Sequence, residues 1–375
     1  MFGIGNKFIL IMILCSTLLM GTFLGIFLGV SYVRYIRRII RQRKNNKNGL
    51  KKAPKIVVIG GGTGLSVLLR GLKNFTSNIT AIVTVADDGG GSGILREDLG
   101  MLPPGDIRNC ILALADTEPT MEKLLQYRFT EGMLKGQSFG NLLIAAMNGI
   151  SDNFEEAIKK INKVLAVTGQ VLPVTLEDVT LFAKLKNGSV IKGESQIPVK
   201  VKELESKIDE VFMKPNNAKA PDECVLAIYD ADIIVLGPGS LYTSIIPNLL
   251  VKDMIKAIKR SSASIVYISN VMTQPGETDE YTVEDHVNEI NKYLKGIDID
   301  YIFVNNENIP TEVLEKYHKD GAKPLLLNEG EKEKLQGHHI RVIEGDFVNI
   351  KKNYIRHDAQ RISEKLIHIF QNEKR

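Results

Sequence analysis

Hydrophobic residues along the chain fall into three kinds of run. Residues 8–30, FILIMILCSTLLMGTFLGIFLGV, hold no charge over 23 positions. Beyond Lys55 the runs are short. KIVVI (55–59) and ITAIVTVA (79–86) are continuous and β-branched, as expected of strands buried on both faces. Between them GGGTG opens LSVLLRGLK, which is apolar at helical spacing. Strand, glycine loop, helix and strand in that order predict a βαβ unit and hence a parallel sheet. ADIIVLGPGSLYTSIIPNLL repeats the strand-to-glycine-loop pattern, and ASIVYISNVM and IDYIFVNNE supply two more strands. DIRNCILALA, PTMEKLLQYRF, GNLLIAAMNGI, NFEEAIKKINKVLAV and the terminal AQRISEKLIHIFQ read as helices. The third kind of run alternates: TLFAKLKNGSVIKGESQI, with Asn187-Gly188 as a hairpin turn.

This pattern predicts an α/β chain with a Rossmann-like, doubly wound, mostly parallel sheet, a small β-rich insertion at about 171–215, and one N-terminal transmembrane helix. The segment ADDGGGSGILRED is too rich in glycine to predict an ordinary helix or strand.

Charge sharpens the reading of the N-terminus. The first acidic residue is Asp87, and residues 1–55 carry eleven Lys and Arg. The remainder holds 37 bases against 44 acids, so the overall +4 conceals a mildly acidic body and argues against a nucleic-acid partner. A helix of 23 residues spans roughly 34 Å, enough to cross the hydrocarbon core, and is longer than a signal-peptide apolar region. Ten positive residues follow it, which the positive-inside rule keeps in the cytoplasm. The expected organisation is an anchor at 1–33, a basic linker at 34–54 and a cytoplasmic domain at 55–375, in a single-pass protein of the cell membrane. Cys15, Cys110 and Cys224 are isolated and read as reduced thiols.

Candidate chemistry gathers at the glycine-bearing turns. Gly60, Gly61, Gly62, Thr63 and Gly64 stand between strand and helix, where backbone N–H groups can approach a phosphate. The loop lacks both a third fingerprint glycine and a Walker lysine, so a purely structural turn is the alternative. Asp87 and Asp88 end the second strand; they suit ribose hydroxyls, a divalent cation such as Mg²⁺, or simply a turn. In LPPGDIRNC, Asp106 suits a helix cap, while Arg108 and Asn109 offer a fork for phosphate or carboxylate. QSFGNL, GPGSLYTS and NVMTQPGET are further polar, glycine-bearing loops. All six histidines lie from His286 onward, and no nucleophile–base pair can be read, so no catalytic residue is assigned.

Taken together, GGGTGL, ADDGG…SG…LR, LPPGDIRNC, SFGNL, GPGSLYTSIIPNLLV and NVMTQPGET resemble the YvcK-type gluconeogenesis factors, relatives of the CofD-type 2-phospho-L-lactate transferases. The resemblance covers most of 55–371. It implies a Rossmann-like cleft for a nucleotide-sugar such as UDP-N-acetylglucosamine or UDP-glucose. It also implies a regulatory role in cell shape and peptidoglycan precursor supply during gluconeogenic growth, with wall-synthesis proteins as partners and a homo-oligomeric state. By motif, Gly60 to Gly64 would wrap the diphosphate. Asp87, Asp88 and Arg96, with Asp106, Arg108 and Asn109, would flank it. Ser138, Asn141, Gly239, Ser240 and Thr243 would complete the cleft. Any metal would sit at Asp87 and Asp88. The chain departs from the family pattern at Gly91 and Ile94, in place of a hydroxyl and a guanidinium, and at Gln137, in place of a histidine. Two other classes remain: a Mg²⁺-dependent transferase and an NAD(P)-binding protein.

Overall fold

The apolar runs fold as short strands buried on both faces, and their order places the crevice. The computed structural model describes residues 54–351 and 353–373. In chain order the strands are β1 Ile56–Gly60, β2 Ile79–Val83, β3 Gln170–Pro173, β4 Thr180–Leu185, β5 Val190–Lys192 and β6 Ile208–Lys214; then β7 Ile233–Leu236, β8 Ser264–Ile268, β9 Tyr301–Asn305, β10 Arg341–Gly345, β11 Val348–Lys351 and β12 Tyr354–His357. Seven of them form one sheet ordered β10-β9-β8-β7-β1-β2-β3, with every pair parallel.

The chain leaves β1 towards β2 and β3, then returns to β7 on the other side of β1. Right-handed crossovers running in opposite directions put their helices on opposite faces of the sheet. They also open a crevice where the carboxyl ends of β1 and β7 diverge, the usual ligand position in such sheets. On one face the helix Gly62–Leu72 packs against the helices Gly105–Leu114 and Ala359–Glu373. Leu65, Leu68, Leu69 and Leu72 on that helix are fully buried.

The insertion is smaller than the sequence suggests. Gln170–Pro173 is the edge strand of the main sheet, paired with β2, and the separate three-stranded antiparallel lobe is β5-β4-β6. Asn187-Gly188 does make the β4–β5 turn, with Gly188 at φ +88°.

A second difference concerns GGSGILREDL, which folds as the helix Gly90–Leu99. Propensity predicts against it, yet close packing requires the glycines: a methyl at Gly91 would lie 2.8 Å from Gln137 Oε1, and one at Gly93 would overlap the Asp88 carbonyl. The expected anchor at 1–33 and all but Pro54 of the linker lie outside the described residues. Among the described residues no helix is long and apolar enough to cross a membrane.

Candidate functional site

The crevice floor is backbone. Gly61 is the N-cap of the helix Gly62–Leu72 and offers no side-chain cap, so the first N–H groups of the helix face the crevice without one. Gly62 has φ +67°, and a methyl on Gly64 would sit 2.7 Å from the Pro238 carbonyl oxygen. Asn248 fixes the underside, donating from Nδ2 to the Gly60 carbonyl (3.2 Å) and the Ser244 carbonyl (2.7 Å). A cavity of about 490 Å³ opens here, lined by Gly61 to Gly64, Gly239, Ser240 and Gln274. A larger depression of about 700 Å³ lies at the amino ends of β1 and β2, around Lys55 and Asp230, away from every predicted site residue.

Asp106 does not cap its own helix. The N-cap position is Pro104, with no side-chain cap. Asp106 instead reaches back to accept from the Gly62 N–H, and a methyl on Gly61 would stand 2.6 Å from its Oδ2. Burial, reinforced by Asp87, pushes the Asp106 carboxyl up to about 7; the Gly62 N–H and Arg108 only partly offset this. One amide of the glycine loop is therefore already engaged by an internal acid.

Arg108 organises the neighbouring corner. Its Nη1 donates to Ser138 Oγ and to Asn141 Oδ1 (3.0 Å), and its Nη2 donates to Asn109 Oδ1 (2.8 Å). Gly140 makes room for the stem: a methyl there would lie 2.7 Å from Arg108 Cδ. Ser138 is also the N-cap of the helix Phe139–Gly149, accepting from the Asn141 N–H at 3.2 Å. Burial and Arg128 draw the Arg108 pKa down, though a guanidinium stays charged. Gln137 is buried beside this group, and its Oε1 has no hydrogen-bond partner among the described residues. Thus Gly91 and Gln137, both singled out in the sequence, face each other.

The remaining predicted residues divide. Asp87 accepts from the Gly89 N–H (2.9 Å), and Asp88 accepts from the Ser195 N–H of the lobe (2.9 Å). Ser240 receives Gln274 Nε2 at 2.5 Å, and Thr243 donates to Glu277 Oε1 at 3.2 Å. Arg96 points elsewhere: its guanidinium pairs with Asp178 (2.5 Å) and the Val179 carbonyl (2.7 Å) at the base of the lobe.

Four participants escaped the sequence reading. Glu194, from the lobe, is pushed up to about 8 by burial and then by Asp87, Glu277, Asp106 and Asp88. Glu277, from the loop after β8, is pushed to about 7 by burial, against hydrogen bonds from Thr243 and Tyr242. Arg356 and His357 of β12 line the cavity; His357 bonds through Nε2 to the Ser269 carbonyl (2.9 Å), and burial lowers its pKa. Glu194, Arg356 and His357 lie outside the quoted motifs, whereas Glu277 is the glutamate of NVMTQPGET, passed over there as a site residue.

Among the described residues no three His, Cys, Asp or Glu side chains converge as metal ligands. The crevice combines backbone amides, hydroxyls, amides and neutral-range carboxyls around a fixed arginine, which suits a polyhydroxylated anionic ligand.

Fold and site together define a doubly wound α/β protein with a ligand crevice at its topological switch point. A family model, 2-phospho-L-lactate transferase CofD, matches residues 56–348. A Thermoanaerobacterium thermosulfurigenes protein is 62% identical over 315 residues, covering 84% of this chain and 96% of that protein. The Bacillus subtilis gluconeogenesis factor is 47% identical over 315 residues, covering 84% of this chain and 97% of its own. A crystal structure of a Bacillus halodurans protein superposes with a TM-score of 0.80 at 46% identity, over 84% of this chain and all of that one. The chain belongs to the CofD family and, within it, to the YvcK-type gluconeogenesis factors.

Proposed function

We propose that the protein binds a UDP-sugar, UDP-N-acetylglucosamine or UDP-glucose, and acts as a membrane-tethered regulator of cell shape and wall-precursor supply during gluconeogenic growth. The observation that carries the reading is the switch-point crevice. Its floor is a glycine loop at a helix N-terminus, which favours a diphosphate. Its walls include Ser240 and Gln274, which favour sugar hydroxyls. No catalytic residue is assigned among them, and the reading is of a protein that binds and regulates. The tether rests on the uncharged run at 8–30 and its basic flank.

Calorimetry of the full chain with UDP-N-acetylglucosamine, UDP-glucose, NAD and GTP tests the ligand. A saturable UDP-sugar signal is expected; binding of NAD alone would sink the proposal. Turnover of a nucleotide-activated donor with Mg²⁺ would replace it with a transferase. For the tether, the full chain should sediment with vesicles and residues 54–375 should not.

A further inference from the structure

The inserted lobe meets the loop after β2 through the Asp88 carboxylate. Asp88 Oδ1 accepts the Ser195 N–H at 2.9 Å. Gly193, at φ +96°, lies so close that a methyl on it would stand 2.5 Å from Asp88 Oδ2. The turn between these contacts holds Glu194, a largely buried carboxyl that feels the charges of Asp87, Glu277 and Asp106; a methyl on Gly89, beside Asp87, would lie 3.5 Å from Ser195 Cβ. Elsewhere the lobe is fastened away from the crevice: by Arg96 to Asp178 and Val179, and by the Tyr293 hydroxyl, which accepts the Val211 N–H at 2.9 Å. At the loop after β8, Gly276 (φ +88°) packs so tightly on Pro198 that a methyl would overlap its carbonyl. Asp88 supplies the side-chain hydrogen bond to the Gly193–Ser195 turn.

We propose that Asp88 is a positioning residue, a latch that holds the Gly193–Ser195 turn over the crevice so that Glu194 becomes the lobe's ligand-facing group. The latch is independent of which ligand binds; the assignment of Glu194 to a sugar-nucleotide rests on the function proposed above. This use of Asp88 differs from a ligand or metal contact in one respect. A hydrogen-bond acceptor suffices for a latch, whereas a cation contact needs the negative charge. Asparagine keeps the acceptor and loses the charge.

Two measurements on the full chain test it. Hydrogen exchange without ligand should show the 193–196 amides protected in the wild type and in Asp88→Asn. Asp88→Ala should lose protection there while the β-sheet amides stay slow. Calorimetry with UDP-N-acetylglucosamine and UDP-glucose should show Asp88→Ala and Glu194→Ala each weakening binding by about tenfold, the scale of one lost buried hydrogen bond to a charged group. Asp88→Asn should retain most of the affinity. The double variant Asp88→Ala/Glu194→Ala should be no weaker than either single one, because removing the latch already removes Glu194 from the crevice.

Equal loss in Asp88→Asn and Asp88→Ala would overturn the latch in favour of a charge contact. So would multiplicative effects in the double variant, or unchanged exchange at 193–196 in Asp88→Ala. If Asp88→Ala does not fold, Gly193→Ala makes the same test from the other side of the contact. If the wild type binds neither UDP-sugar, the function proposed above falls, and the exchange measurement alone decides the latch.

Discussion

Gly64 has almost no space around it, and the crevice depends on that closeness. The atom a new methyl would meet is the Pro238 backbone oxygen at 2.7 Å, with the Gly239 nitrogen at 3.3 Å, and neither can rotate away. Gly64→Ala should therefore part the loops after β1 and β7, costing about 1–3 kcal/mol by overpacking and weakening ligand binding; denaturant titration and calorimetry read the two effects. Arg108 makes the opposite argument, from bonds rather than space. It serves three acceptors on three residues from one planar group. Arg108→Ala should lower stability by about 1.5–3 kcal/mol in a partly covered site and reduce affinity, with the sheet intact by circular dichroism. Arg108→Lys should rescue little, since one ammonium does not reproduce the fork. Unchanged affinity in Arg108→Ala would make the residue purely structural.

At the scale of elements, Ser138 couples a helix start to the site. Its hydroxyl caps the helix Phe139–Gly149 and receives Arg108. Ser138→Ala should cost about 1 kcal/mol through the cap alone, and the released guanidinium should lower ligand affinity as well. Asn153→Ala, at the cap of Phe154–Val164, should cost a similar amount of stability but leave binding unchanged. The contrast separates capping from site architecture. It also shows what the sequence conveys. Strands β1, β2, β7, β8 and β9 and the Asn187-Gly188 turn were legible because burial on both faces and turn chemistry are local properties. The helix Gly90–Leu99 was not, because its glycines are set by the closeness of Gln137 and the Asp88 carbonyl, which propensity does not register. Asp106 looked like a cap for the same reason: its actual partner, the Gly62 N–H, is forty-four positions away in sequence. Glu194 was illegible altogether, since its place depends on Ser195 meeting Asp88 across 107 residues.

Over the whole molecule, three separated segments supply the buried carboxyls Asp106, Glu194 and Glu277, and their burial ties stability to pH. Each carboxyl is raised to about 7, 8 and 7 respectively, well above its value in an unfolded chain. Between those values the folded state binds more protons than the unfolded one, so stability falls as pH rises. Glu194 feels both Asp106 and Glu277, so its titration is not independent of theirs. Other groups leave a usable window. His286 and His357, lowered by burial, affect stability only below about pH 6.5, while Cys110 and Cys224, raised by burial, act only above about pH 8.5. The melting temperature of the ligand-free protein should therefore fall steadily between about pH 7 and 8, and Asp106→Asn or Glu194→Gln should flatten the slope. A diphosphate brought beside these groups disfavours their ionised forms further, so ligand binding should take up protons in the same window. Calorimetry in two buffers of different ionisation enthalpy measures that uptake directly. Uptake that persists undiminished in Asp106→Asn and Glu194→Gln would place the titrating groups outside the crevice.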